Sequence, residues 1–460
     1  MPRRKKVTPD TAKSLEKRND KITSRLLGMK DLVGADCRYF DFIVDKAREY
    51  AKFYSFTPIK TPILETYDLY KKSTRRSTGK EFYLIEGEKN EKITLRPEMT
   101  QGVVRSYLEN NLGESGQPVR LFSCGPIFRH EKLQTGHYRE STQANWEIIG
   151  DHKPLAEALL ITAASHFFNE LQIKTQVQIN SLGSAECRRE YCSKLAAFYK
   201  ERGRRSKLCH YCKNNLGKNC LSLLDCKEEG CQKLAEEAPQ IADYLSPESR
   251  EHFAKTLEFL DELNINYNFN PYLVRGLNYY NDTVFELWPV NEDGSQISKL
   301  ALAGGGRYDS LVESLGGTDI PAVGLAIGLE RTLARVKDKT LLINKPEEDI
   351  IFIAQLGDQA KLKSMQLFDD LRHAGFNVRQ SFASDSLKIQ LEEAVNMRAK
   401  NCLILGKKEI MDGTILLRDM DSGAQETVVF KKIKERLSRK DKLIEKKFNN
   451  RKEGGLYGGL

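Results

Sequence analysis

A chain of 460 residues is too long for one comfortable core, so two or three domains are expected. Its 73 Lys and Arg outnumber 64 Asp and Glu, a formal charge of +9 that suits a polyanionic partner and equally a solvated surface. No apolar run approaches the ~20 residues that cross a bilayer, and the basic start Met1 to Lys6 leads into Asp10, Glu16 and Asp20, so a cytoplasmic protein without a membrane partner is expected. Residues 1–20 read as a flexible basic arm. From Tyr39 to Tyr54 the apolar residues Phe40, Ile43, Val44, Ala47, Tyr50 and Ala51 mark one face of an amphipathic helix. Ile59–Leu64 follows as an extended segment, because Pro58 and Pro62 disfavour helix before them.

Phe82–Ile85 and Lys92–Arg96 read as hairpin strands leading into Arg96-Pro-Glu98-Met-Thr100 and a helix to about Leu108. Val119–Cys124 is a strand. In Thr142–Gly150, Gln143, Asn145 and Glu147 alternate with Thr142, Ala144, Trp146 and Ile148, which puts the polar trio on one face of a strand and the packing residues on the other. Residues from about 186 to 265 are rich in Lys, Glu and Cys and helical in pattern, an inserted subdomain between strand-rich stretches. Strand signal returns at Thr283–Trp288, passes a Gly-rich segment and ends at Val323–Arg331. Residues 337–348 read as a linker. Strands and helices then alternate as Asp349–Ala354, Lys361–His373, Phe376–Arg379, Leu387–Ala399, Cys402–Leu405 and Thr414–Leu417, a compact α/β domain over 347–436. The tail, 437–460, is basic and expected to be partly disordered.

Three constellations carry chemistry. Arg129, in Phe128-Arg-His-Glu131, precedes a charged loop, Lys132–Arg139, and the strand bearing Gln143 and Glu147; a guanidinium is always charged and bridges two oxygens of a phosphate or carboxylate. Alone it is equally a surface hairpin with ordinary ion pairs. Leu273-Val-Arg275-Gly-Leu-Asn-Tyr279-Tyr280 sets a cation among apolar residues and follows it with paired phenols. Ala301-Leu-Ala-Gly-Gly-Gly-Arg-Tyr-Asp309 is a Gly run that fits a turn or a close backbone approach.

Together these stretches resemble the signatures of the histidyl-tRNA synthetase family, bacterial in type, among class II aminoacyl-tRNA synthetases, and the likeness runs from about residue 22 to 436. The resemblance implies an α+β fold: an antiparallel sheet flanked by helices in a core over 21–336, the helical insertion, and a C-terminal α/β anticodon-binding domain. It implies a homodimer, with ATP, L-histidine and histidine tRNA as substrates and Mg²⁺ neutralising the triphosphate. It assigns Arg129 and Arg275 to the α-phosphate as catalytic residues, Glu131 to the adenine side and Arg331 to the γ-phosphate. Glu98, Thr100 and Gln143 are implied at the substrate's α-amino group, Glu147 and Tyr280 with Tyr279 at its imidazole, and Gln134 near the acceptor end of the tRNA. Asn278 stands where the family usually has Asp, and His137 where it often has Arg. The rival readings are a regulatory paralogue of histidine biosynthesis that has lost aminoacylation, which typically lacks the C-terminal domain and pocket residues, and a non-catalytic tRNA sensor.

Ten cysteines in a chain read as cytoplasmic are expected as thiols or metal ligands before disulfides. Cys209-His-Tyr-Cys212, Cys220, Cys226 and Cys231 fit a tetrahedral zinc site or ordinary thiols, and no metal ligand is assigned. Family members often carry Ser at some of these places, so the fold does not require metal.

Overall fold

The computed structural model describes residues 24–71, 82–130, 136, 138–298, 300–336, 349–381 and 384–438. The basic arm, the linker, Glu131, Gln134 and His137, and all of the tail beyond 438 lie outside them. The chain divides into two compact units, Met1–Leu341 and Leu342–Leu460.

In chain order the first unit runs α1 (Ala35–Phe53), β1 (Thr57–Pro58), β2 (Leu64–Thr66), α2 (Tyr67–Lys71), β3 (Leu84–Glu86), β4 (Lys92–Leu95), α3 (Thr100–Glu109), β5 (Val119–Phe128), β6 (Glu140–Ile149), α4 (Leu155–Glu170) and β7 (Thr175–Ser181). The inserted helices are α5 (Ala185–Lys200), α6 (Arg202–Lys207), α7 (His210–Asn215), α8 (Glu229–Glu236) and α9 (Pro247–Glu262). The chain then returns through β8 (Tyr267–Phe269), β9 (Asn281–Pro289), β10 (Ala303–Arg307), α10 (Ser310–Ser314), β11 (Ala322–Gly328) and α11 (Leu329–Val336).

Eight strands form one sheet in the order β1-β5-β6-β11-β10-β9-β7-β8, antiparallel except for the outermost pairs β1/β5 and β7/β8. The periodicity of α1 does what it implies: Ile43, Val44, Ala47 and Ala51 are buried and join a core with Trp146, Phe167 and Phe285. On the other side, insertion residues such as Tyr191, Leu195 and Leu234 share a core with Tyr279, Tyr280 and Tyr308. Helix starts are set locally. Ser184 and Ser246 accept from the backbone N–H groups of Cys187 and Ser249, and Pro247 follows at the first helical position, where its missing N–H costs nothing.

Two local readings gain detail. The polar trio on β6 alternates with the packing residues as the pattern implies, and from Ala144 to Ile149 both faces are buried. The polar side is roofed by Tyr308, Thr100 and their neighbours, so those side chains satisfy one another instead of meeting water. The Gly run is a fully buried strand, β10, paired on both edges with β9 and β11, so of its two readings the close backbone approach holds and not the turn.

The second unit holds β12 (Ile351–Gln355), α12 (Asp358–His373), β13 (Val378–Gln380), α13 (Leu387–Asn396), β14 (Asn401–Leu405), α14 (Lys407–Asp412), β15 (Thr414–Asp419) and β16 (Gln425–Val429). Its sheet order is β13-β12-β14-β15-β16, with β12 parallel to both neighbours. It has its own cores, one around Leu367, Leu371 and Leu403 and another around Phe352 and Ala394.

Candidate active site

Three arginines from three separate segments line one cleft: Arg129 just past β5, Arg275 between β8 and β9, and Arg331 in the first turn of α11. Each is aimed by a backbone or carboxylate contact. Arg129 Nε donates to Pro97 O at 2.7 Å, and Arg331 Nη1 donates to Ala301 O at 2.9 Å. Arg275 forms an ion pair with Glu286, whose other oxygen accepts from Trp288 Nε1 at 2.8 Å. Burial works against the Arg275 charge, but Glu286 and the Tyr280 hydroxyl outweigh that and hold the guanidinium above its usual pKa. Gly304 lies beneath: a Cβ there would sit 2.5 Å from Arg275 Nη1, so the strand must lack one for the arginine to lie flat across it.

Gln143 also lines the cleft, and deeper along β6 lies a buried acidic cluster. Glu98 precedes α3 and accepts from the backbone N–H groups of Thr100 at 2.8 Å and Gln101 at 3.0 Å. Glu147 accepts from Thr100 Oγ1 at 2.7 Å, Tyr308 OH at 2.7 Å and Asn145 Nδ2 at 3.2 Å. Burial raises both carboxyls. For Glu98 the two backbone donors resist; for Glu147 the three side-chain donors resist, the Glu98 charge adds to the rise, and the pKa is pushed up to about 7. Gly324 faces Glu147 across the β6/β11 pair, and a Cβ there would coincide with Glu147 Oε2.

Burial and the neighbouring carboxylates push the Tyr279 and Tyr308 hydroxyls well above their usual range, so both phenols remain donors at neutral pH. Tyr279 OH reaches Glu98 Oε2 at 3.4 Å, and the Tyr279 and Tyr280 rings lie 4.8 Å apart. Tyr280 thereby bridges the acidic cluster and Arg275. Gln143 Oε1 and Asn145 Oδ1 are buried without a protein hydrogen-bond partner among the described residues. An unmet buried acceptor costs about 1–3 kcal/mol, so the pocket is built to receive a donor such as an ammonium.

Arg129, Gln143, Arg275 and Arg331 thus line the cleft, Glu98, Thr100, Glu147, Tyr279 and Tyr280 form a buried cluster joined to it through the contact of Tyr280 with Arg275, and Glu131 and Gln134 fall outside the described residues. Asn278 is exposed in a turn. Sequence reasoning gave Tyr308 no role, although it is the phenol that touches Glu147; its place directly after the Gly-Gly-Gly-Arg run was the available signal. The arginine of that run, Arg307, is structural: it grips buried Glu157 through two 2.7 Å bonds, and His252 shares the same carboxylate at 2.6 Å.

Comparison with known proteins bears on the family. Residues 28–332 match the family described as Histidyl-tRNA synthetase, and residues 350–440 match the Anticodon binding domain. The chain is 38% identical over 425 residues to the histidine–tRNA ligase of Desulforudis audaxviator, covering 91% of this chain and 99% of that one. It is 36% identical over 405 residues to that of Thermosipho melanesiensis, covering 87% and 95%. The crystal structure of apo S. aureus histidyl-tRNA synthetase superposes with a TM-score of 0.74 at 29% identity, over 90% of this chain and 99% of the other. Signatures, sheet and relatives converge: this chain belongs to the histidyl-tRNA synthetase family.

Proposed function

We propose that the chain works as a histidine–tRNA ligase, activating histidine with ATP and then transferring it to the 3′ end of histidine tRNA. The observation that carries the residue assignments is the junction of two unlike environments, an arginine-lined cleft and a buried acidic cluster that meets it where Tyr280 lies beside Arg275. A zwitterionic amino acid with a polar ring fits the acidic cluster. Its ammonium would lie among Glu98, Thr100 and the open acceptor of Gln143. Its imidazole would meet Glu147, with Tyr280 and Tyr308 beside it, and an apolar side chain there would give the buried Glu147 carboxylate no ring N–H.

The substrate carboxylate then points outward to the arginines. As it attacks the α-phosphorus, charge grows on the phosphate oxygens, and Arg129 and Arg275 are already fixed to meet it. Arg331 holds the departing end of the triphosphate. Bound with ATP, Mg²⁺ would neutralise triphosphate charge; of the two carboxylates that line the cleft Glu286 is taken by Arg275 and Trp288, so Glu330 is the residue that would hold it. A homodimer and a tRNA contact through the second unit are part of the same proposal.

Histidine-dependent pyrophosphate–ATP exchange tests it. Exchange with histidine and not with the other amino acids is expected, followed by charging of histidine tRNA. A folded chain that shows no exchange overturns the reading in favour of a regulatory paralogue.

A further inference from the structure

We propose that the helical insertion is built around a single tetrahedral zinc ion held by Cys209, Cys212, Cys226 and Cys231. The four Sγ atoms come from two separate stretches and all lie within 4.8 Å of one another, with Cys209 Sγ and Cys226 Sγ 3.9 Å apart. Zn–S bonds of about 2.3 Å in a tetrahedron require sulfurs about 3.8 Å apart, so the cluster is already near that geometry. The same separation is far outside the ~2.05 Å of a disulfide, and all four are free thiols. Two of the sulfurs accept from the backbone: Cys209 N–H points at Cys231 Sγ at 3.3 Å, and Cys212 N–H at Cys209 Sγ at 3.4 Å.

The local fold supplies the reason for a metal. Around the cluster the chain runs through α6, α7 and α8, of 6, 6 and 8 residues, far below the ~12–15 that make an isolated helix even marginal. Short elements of this kind are commonly held by a structural metal or disulfides. Cys212 and Cys231 are buried at the centre, while Cys209 and Cys226 are half-buried at the rim. The fifth cysteine of the stretch, Cys220, turns away and donates to Cys192 O at 3.5 Å. Binding one Zn²⁺ displaces the four thiol protons to solvent and leaves a site of charge −2, set among the basic residues Arg204, Arg205, Lys207 and Lys213 of α6 and α7.

The test is metal analysis of the full-length chain purified without chelator. One zinc per chain is expected in the wild type and in Cys220→Ser, and loss of that zinc in Cys209→Ser and in Cys226→Ser. Should those variants aggregate, wild-type protein stripped of metal under reductant and refilled with Co²⁺ decides the matter, since four thiolates give an intense thiolate-to-cobalt charge-transfer band. A reduced wild type that takes up neither zinc nor Co²⁺ overturns the proposal. So does iron in place of zinc, or a disulfide among the four cysteines in the freshly isolated protein.

Discussion

At Glu147 the fold accepts a carboxyl that would be more stable without its charge. Its pKa stands at about 7 against 4.5 for an unperturbed side chain, with burial as the largest cause. A carboxyl that holds its proton more tightly folded than unfolded lowers fold stability as pH rises from 4.5 through about 7, and the loss is complete above that. Glu147→Gln, which keeps the shape of the protonated group, is therefore expected to melt higher than wild type at pH 8, by an amount on the order of 3 kcal/mol at most. The gap should close as the pH falls toward 4.5, and melting curves at the two pH extremes check it. The same variant should lose histidine-dependent exchange, because an amide cannot offer a negative charge to a ring N–H. A variant no more stable at pH 8 than at pH 5, relative to wild type, would mean that the three donors around Glu147 keep it ionised. Arg275 carries the complementary prediction. Arg275→Ala should slow exchange about 10²–10³-fold, the usual cost of one donor aimed at developing charge, with binding of ATP changed far less. Single-turnover rates set against ATP affinity separate the two.

Among the elements, β10 shows what the glycines are for. Its backbone lies directly under Arg275, and a methyl group at Gly304 would meet the guanidinium at 2.5 Å. Gly304→Ala is expected to leave the fold intact, since the clash falls on the far end of a long side chain, yet to cut exchange roughly 10²-fold by moving the arginine about 1 Å. A normal melting temperature with a collapsed rate is the expected pair of readings; an unchanged rate would show that Arg275 acts from another position. This strand also marks how far the sequence could be read. The amphipathic face of α1, the β6 alternation and the three arginines were legible because period and residue type reveal them locally. That Ala303–Arg307 is a strand was hidden, since glycine has no β preference and its pairing with β9 and β11 is a tertiary fact. The roof over β6 was hidden for the same reason: Tyr308 reaches Glu147 across 161 positions of sequence, and no local pattern couples the two. Strands β7 and β16 also escaped notice. In β7 the polar residues Gln176, Gln178 and Asn180 interrupt the apolar signal, and β16 is mostly exposed.

Over the whole molecule, the adenylation chemistry and the second unit have separate cores. Among the described residues, those of the cleft all belong to the first unit, whose hydrophobic clusters contain none from beyond Val336, and the second unit closes its clusters around its own five-stranded sheet. A domain with its own core is in principle able to fold alone. A chain ending at residue 341 is therefore expected to keep histidine-dependent pyrophosphate exchange within a few-fold of the full-length rate. Charging of histidine tRNA should behave differently. The second unit matches the Anticodon binding domain over residues 350–440, and its loss removes the contacts expected to hold the tRNA at the end remote from the reacting hydroxyl. Its kcat/KM for tRNA should fall at least tenfold, equivalent to about 1.4 kcal/mol of lost transition-state binding. Adding the severed second unit in trans should restore little, since the linker's effective concentration is then gone. If exchange falls together with charging while the truncated chain stays folded, the second unit contributes to adenylation itself, and the separation of cores does not extend to the chemistry.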